Sequence, residues 1–393
     1  MLKDQQRIRR LKTALGKASL DAIVLRLPES IVMAFGVWPL NGFSYGLFTA
    51  ADGPVALIAP SCEDEEMDGC WADHVIWFAW PKLSMPDPLE VIRAELCGLA
   101  RRHQLTRGRI GYEGSFELIA PPHGSGDVRV PAESSIRYLK SILPSAKWSD
   151  ATPLLYQQRA IKTTAEIAKL RIANKVADFG LKKFHDSVEP GISEAELASL
   201  TYAECFNRGV GVRGVRHVNV YPQVASGLST HRAWRPCVST GRRRLKDGEI
   251  AMLELGLCVD GFWADVTRVK VAGRPSAVQR RAFKAVTAAQ AAATAAIRPG
   301  ATAERPHQAA TEVFIKAGFE KQIVHITGHG LGYCYHEPEP FLMPGNMLKL
   351  KKGHVCTVEP GLYDPAWGGI RLENNVAVTG DGAELLTRTS NKL

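Results

Sequence analysis

Glu254 and Asp265 lie eleven residues apart in EIAMLELGLCVDGFWADVTRVKV (249–271), on two β-rich runs that flank Asp260-Gly261. Asp-Gly suits a two-residue type I′ turn. With that turn Val259 faces Phe262, Glu254 faces Thr267 and Gly256 faces Asp265. Period-2 alternation then puts Glu254, Asp265 and Thr267 on one face, with the two acids diagonal neighbours about 7–8 Å apart at the backbone. Two unpaired anions in apolar strands are costly. A shared cation removes that cost; the other reading is that either acid faces solvent on an amphipathic strand.

A second pair of acids lies in HVCTVEPGLYDPAWGGIRLENNVAV (354–378). Glu359 ends an apolar strand before Pro360-Gly361, and Glu373 is expected within a second strand after Gly368-Gly369. Arg371 shares a face with Glu373, so it could hold that carboxylate ionised, meet a substrate anion, or form a surface pair on an edge strand. TGHGLGYCYHEPEPF (327–341) adds His329 and His336 in a stretch too glycine-rich for a helix. Four carboxylates and one imidazole suit a pair of hard or borderline divalent ions, Mn, Co, Zn or Fe. One histidine among four acids argues against a structural zinc site.

The surrounding elements must hold these side chains. A helix over 4–17, strands over 20–28 and 73–80, a hairpin over 45–60 about Asp52-Gly53-Pro54, a helix over 86–104 and a strand over 108–114 give a mixed α/β first part. LPSAKWSDATP (143–153) reads as the boundary, dividing the chain into residues 1–150 and 151–393. Beyond it, helices are expected over 163–188, from Ser193-Glu194 to Arg208, over 276–298 and over 304–317. The 393 residues, 45% of them hydrophobic, suffice for two cores. The charged start and the lack of any long apolar run predict no membrane span. Eight cysteines without a CxxC pair read as reduced thiols of a cytoplasmic protein. The net charge of +9 is scattered over Arg7–Lys12, Arg101–Arg102 and Arg242–Lys246 without interleaved aromatics, which predicts solvated surface and no nucleic-acid partner.

Together, LELG, WADVTR eleven residues on, GHGLGYCYHEPEP, TVEPGLY and GIRLEN resemble the pita-bread metallohydrolases, which include aminopeptidase P, prolidase, methionine aminopeptidase and creatinase. The first ~150 residues resemble the creatinase/aminopeptidase P N-terminal domain more weakly. The resemblance implies an α/β (α+β) fold ending in a pita-bread catalytic domain, and a homodimer. It implies two divalent metals, manganese foremost, at Glu254, Asp265, His329, Glu359 and Glu373, with Asp265 and Glu373 bridging. A water or hydroxide between the metals would be the nucleophile. Glu359 would manage its proton, and His336 would steady the carbonyl oxygen.

Two departures from the family stand out. Its peptidases usually place Asp where this chain has Glu254. They also carry a substrate-facing histidine where ASGLSTHRAWRP (225–236) has Trp234, with His231 three residues early. His231 either reaches the substrate through a shifted loop or is a solvated loop histidine. Arg232 or Arg235, beside Trp234, could bind a substrate carboxylate or could be plain loop. The resemblance implies an Xaa-Pro aminopeptidase or dipeptidase acting on small peptides. The alternative is a small-molecule enzyme of the same fold, resembling creatinase, ectoine hydrolase or the dimethylsulfoniopropionate lyase. A non-catalytic binding protein would be expected to lose the five ligand-capable side chains.

Overall fold

The structure is a computed structural model and describes residues 3–40, 43–50, 53–65, 67–80, 87–114, 133–235 and 240–393. The chain divides into two compact units, one ending at Arg159 and the other running over Ala160–Leu393. The first contains α1 (Gln5–Lys17), β1 (Ala22–Leu25), α2 (Pro28–Phe35), β2 (Tyr45–Thr49), β3 (Val55–Pro60), β4 (His74–Phe78), α3 (Pro88–Arg102), β5 (Arg109–Tyr112), α4 (Glu133–Ile142), β6 (Lys147–Asp150) and α5 (Thr152–Ala160). Its strands form one mixed sheet in the order β4-β3-β2-β1-β5-β6. Asp4 caps α1 by accepting from the amides of Gln6 and Arg7, both at 3.0 Å. β2 and β3 pair antiparallel as the expected hairpin, although residues 51–52 of its turn lie outside the described residues. Val24, Leu47 and Ile58 pack with Ile92, Leu96 and Leu99 of α3 and Leu139 of α4. The short helices α2, α4 and α5 were not expected. The stretch read as a boundary holds β6 and the start of α5.

The second unit continues with α6 (Thr164–Ser187), α7 (Glu194–Gly209), β7 (Val218–Ser226), β8 (Ile250–Val259), β9 (Phe262–Val271), α8 (Ala277–Ala296) and α9 (Glu304–Lys316). After them come β10 (Gly328–Gly330), β11 (Glu337–Leu342), β12 (Val355–Val358), β13 (Gly361–Asp364), β14 (Gly368–Arg371), β15 (Asn374–Val378) and β16 (Ala383–Leu385). Capping boxes open three of the helices: Thr163 with Glu166, Ser193 with Glu196 and Ser276 with Gln279. The strands form three sheets, ordered β7-β8-β9, β11-β10-β12-β15-β16 and β13-β14.

The β8–β9 hairpin has the expected register. Val259 faces Phe262, Glu254 faces Thr267 and Gly256 faces Asp265. Asp260 and Gly261 take φ of 46° and 85°, the left-handed values that a type I′ turn needs at both central residues. Leu253, Leu255, Leu257 and Val266 pack with Val176, Leu181 and Phe184 of α6 and Leu197 of α7. Met252 and Val269 pack in a second core with Val286 and Ala289 of α8, Phe314 of α9, and Val358 and Val376. The alternation of β8 thus turns Glu254 away from the α6–α7 core.

Glu373 differs from its expected place within a strand. It lies between β14 and β15, where the chain stops pairing with β13 and starts pairing with β12. Its amide donates to the Thr267 carbonyl at 3.1 Å, which fixes this break against β9. The seven cysteines of the described residues are free thiols. No helix of the described residues is long and apolar enough to cross a membrane.

Candidate metal centre

The strands β8, β9 and β10, the end of β12, the break between β14 and β15 and the turn before β11 bring these acids and imidazoles together. Glu254, Asp265 and Glu373 form one group in which one ligand atom from each residue lies within 4.8 Å of the others. His329, Glu359 and Glu373 form a second such group, and Asp265, His329 and His336 a third. The His329 Nε2 atom is 3.4 Å from Asp265 Oδ2 and 3.6 Å from Glu359 Oε1, and His336 Nε2 is 3.6 Å from Asp265 Oδ2. Asp265 and Glu373, shared between groups, are both fully buried.

Hydrogen bonds to neighbouring groups fix each of these side chains. His329 Nδ1 donates to the Gly330 carbonyl at 2.9 Å, which turns Nε2 toward the acids: protonated, it hydrogen-bonds Asp265, and deprotonated, it offers a lone pair to a cation. The close approach of β10 to β12 needs Gly328, since a Cβ there would sit 2.1 Å from the Thr357 carbonyl oxygen. Thr357 Oγ1 accepts from the His329 amide at 3.1 Å and donates to Glu359 at 3.3 Å. Asn375 holds the backbone of Asp265 from both sides, accepting from its amide and donating to its carbonyl.

The electrostatics of the cluster disfavour the ionised form of two of its acids. Burial, then the charge of Asp265, pushes Glu373 up to about 7. Burial, then the charges of Glu373 and Asp265, raises Glu359 well above the ordinary glutamate value. Burial would also raise Asp265, but hydrogen bonds from His329 and His336 outweigh it and hold that carboxyl low. His329 is raised in turn, because Asp265 overcomes the effect of burial. Glu373 Oε2 accepts from Thr267 Oγ1 at 2.7 Å, while its Oε1 is buried without a hydrogen-bond partner. An orphaned anionic oxygen among three other carboxylates and an imidazole lone pair fits divalent cations held by oxygen and nitrogen.

The residues expected at the substrate fall into two sets. His336 is beside Asp265 with its ring partly exposed. Arg371 is buried and its donors go to protein: an ion pair with Glu254, Nε to Thr267 at 2.9 Å, and Nη1 to the Ala233 carbonyl at 2.8 Å and the Tyr363 hydroxyl at 3.2 Å. His231 sits on the 3-10 turn Gly227–Arg232 and its Nδ1 bonds the Leu228 carbonyl at 2.6 Å. Trp234 is exposed, with the Arg235 guanidinium 5.2 Å from its ring centre. The loop reaches the cluster through its backbone, at the Ala233 carbonyl.

Two site groups escaped the sequence reading. Tyr335 donates to Glu254 Oε1 at 2.9 Å and Asp265 Oδ1 at 3.1 Å. Its only sequence signal was its place directly before His336. Lys162 forms a buried ion pair with Glu337, which also accepts from the Tyr333 amide at 2.8 Å and so anchors the turn carrying Tyr335 and His336. Nothing local in the sequence joins residues so far apart.

Residues 168–380 match the family described as metallopeptidase family M24. The chain is 32% identical over 259 residues to the Xaa-Pro dipeptidase of Lactobacillus helveticus, covering 65% of this chain and 68% of that protein. The chain therefore belongs to metallopeptidase family M24, the pita-bread family, as a metal-dependent hydrolase of the peptidase class. The Xaa-Pro dipeptidase from Bacillus anthracis shares its fold, with a TM-score of 0.79 at 23% identity over 99% of this chain and 98% of that one. A match of 29% identity, to the agropine synthesis cyclase of Rhizobium rhizogenes, spans 98% of this chain and 95% of that protein.

Proposed function

We propose that the protein is an Xaa-Pro dipeptidase or aminopeptidase whose Glu254, Asp265, His329, Glu359 and Glu373 hold two divalent ions, manganese foremost. The observation that carries this reading is Glu373, which belongs to two groups of converging ligand atoms and whose Oε1 is buried without a partner. Divalent ions there would supply Lewis-acid polarisation of a peptide carbonyl and an acidified water. The chain's own groups would do the rest. Glu359, whose carboxyl is raised by burial and by Glu373, would accept a proton from the attacking water and return it to the leaving nitrogen. His336, partly exposed beside Asp265, would donate to the carbonyl oxygen as negative charge develops. His231, Trp234 and Arg235 would border the substrate on the loop that touches Arg371 through Ala233. The relatives named as Xaa-Pro dipeptidases support this substrate class. The first ~150 residues would be a creatinase/aminopeptidase P-like domain by sequence resemblance. Free thiols are in keeping with a cytoplasmic protein, and the family resemblance with a homodimer.

A second reading, a small-molecule enzyme of the same fold, has one specific support. The cyclase of Rhizobium rhizogenes matches nearly the whole chain, whereas the Lactobacillus helveticus dipeptidase matches 65% of it. The deciding experiment is hydrolysis of an Xaa-Pro dipeptide and a longer Xaa-Pro peptide after chelation and after manganese is restored. Manganese-dependent cleavage upholds the peptidase, and the length preference separates dipeptidase from aminopeptidase. Bound metal without cleavage of either peptide transfers the site to the second reading.

A further inference from the structure

Glu254 and Asp265 meet a protein donor on the face where the sequence would put a cation. The Tyr335 hydroxyl is 2.9 Å from Glu254 Oε1 and 3.1 Å from Asp265 Oδ1, so its one proton is shared between two carboxylates. The other oxygen of Glu254 is taken by Arg371. The two carboxylates nearest Tyr335 thus differ from Glu373, whose Oε1 has no donor.

The tyrosine has a fitted place. Gly256 stands directly opposite Asp265 on the hairpin, and a Cβ there would lie 2.7 Å from Tyr335 Cε2 and 3.3 Å from its hydroxyl oxygen. The ring stacks on His336, with centres 4.7 Å apart and planes 11° apart, and leans on Trp263 at 5.5 Å. A phenol wedged between an imidazole and an indole, over a residue with no side chain, is held with its hydroxyl aimed at the two acids.

We infer that Tyr335 is a positioning residue that makes the two halves of the cluster unequal: its hydroxyl competes with a cation for Glu254 and Asp265, and so weakens the Glu254–Asp265–Glu373 half. In the His329–Glu359–Glu373 half, Glu373 Oε1 has no donor and Glu359 meets the Thr357 hydroxyl at a longer 3.3 Å, so this half binds first. This inference rests on the divalent-metal reading above. A hydrogen bond to a charged group is among the stronger ones, and its loss on cation entry lowers affinity by about tenfold or more.

The test is calorimetric titration of chelator-stripped protein with manganese alone, comparing the unaltered chain with Tyr335→Phe. The first ion should bind equally to both, and the second should bind about tenfold tighter to the variant. Tyr335→Leu, which removes ring and hydroxyl together, carries the same expectation if the Phe variant is unstable. An unchanged second-ion affinity would overturn the inference and leave the metal reading intact. A weaker one would also overturn it, by making the phenol oxygen a ligand. Failure of the unaltered chain to bind any ion would sink the metal reading and this inference with it.

Discussion

Glu254 carries one methylene more than the aspartate usual at its place in the family, and the structure shows where that length goes. Its carboxylate lies between Arg371, Thr267 and Tyr335 while still joining Asp265 and Glu373 within 4.8 Å. Glu254→Ala should lower bound metal from two ions towards one per chain, and Glu254→Asp should retain more than Ala. Plasma mass spectrometry of both variants checks this; unchanged metal in the Ala variant would remove Glu254 from the site. His336 has the opposite profile, since it touches Asp265 from the partly open side. His336→Ala should depress kcat by about 10²–10³-fold, the scale of one lost oxyanion donor, with metal content preserved. A rate within twofold of the unaltered chain would return His336 to the loop.

At the scale of elements, the β8–β9 hairpin was legible residue by residue, because Asp-Gly fixes the turn and the turn fixes the register. The long helices were legible from their caps and periodicity. Glu373 was misplaced because a strand break has no local signature: only the change of partner from β13 to β12 produces it. Tyr335 and the Lys162–Glu337 pair were invisible for the same reason, since each depends on contacts between distant segments. Gly328 shows how tightly these segments meet. Gly328→Ala drives a methyl group into the Thr357 carbonyl, so β10 must leave β12, and His329 loses its alignment with Glu359. The variant should be destabilised by about 1–3 kcal/mol, with weaker metal binding. Thermal unfolding checks the first effect, and an unaltered Tm would show that the strands separate freely.

At the scale of the whole molecule, the cluster ties stability to pH and metal. Glu373 is raised from an ordinary 4.5 to about 7, and His329 is raised above 6.5. A group raised in the folded state binds its proton more tightly there than in the unfolded chain. Its stabilisation is therefore present below the ordinary value and lost as pH rises through the folded one. Chelated protein should lose stability as pH rises from about 4.5 through 7, and manganese should restore it most at the upper end, where the acids are ionised. Melting curves across that range, with chelator and with manganese, read both effects; a chelated Tm that climbs steadily with pH would contradict them.

The most direct test of the central claim is the metal content of the chain purified without chelator, beside Asp265→Asn, which keeps the side-chain shape and removes the shared charge. The unaltered chain should carry one to two divalent ions after equilibration with manganese, and the variant should lose at least one. Equal metal in both proteins, or none in either, would mean that the buried acids on these strands do not form a cation site.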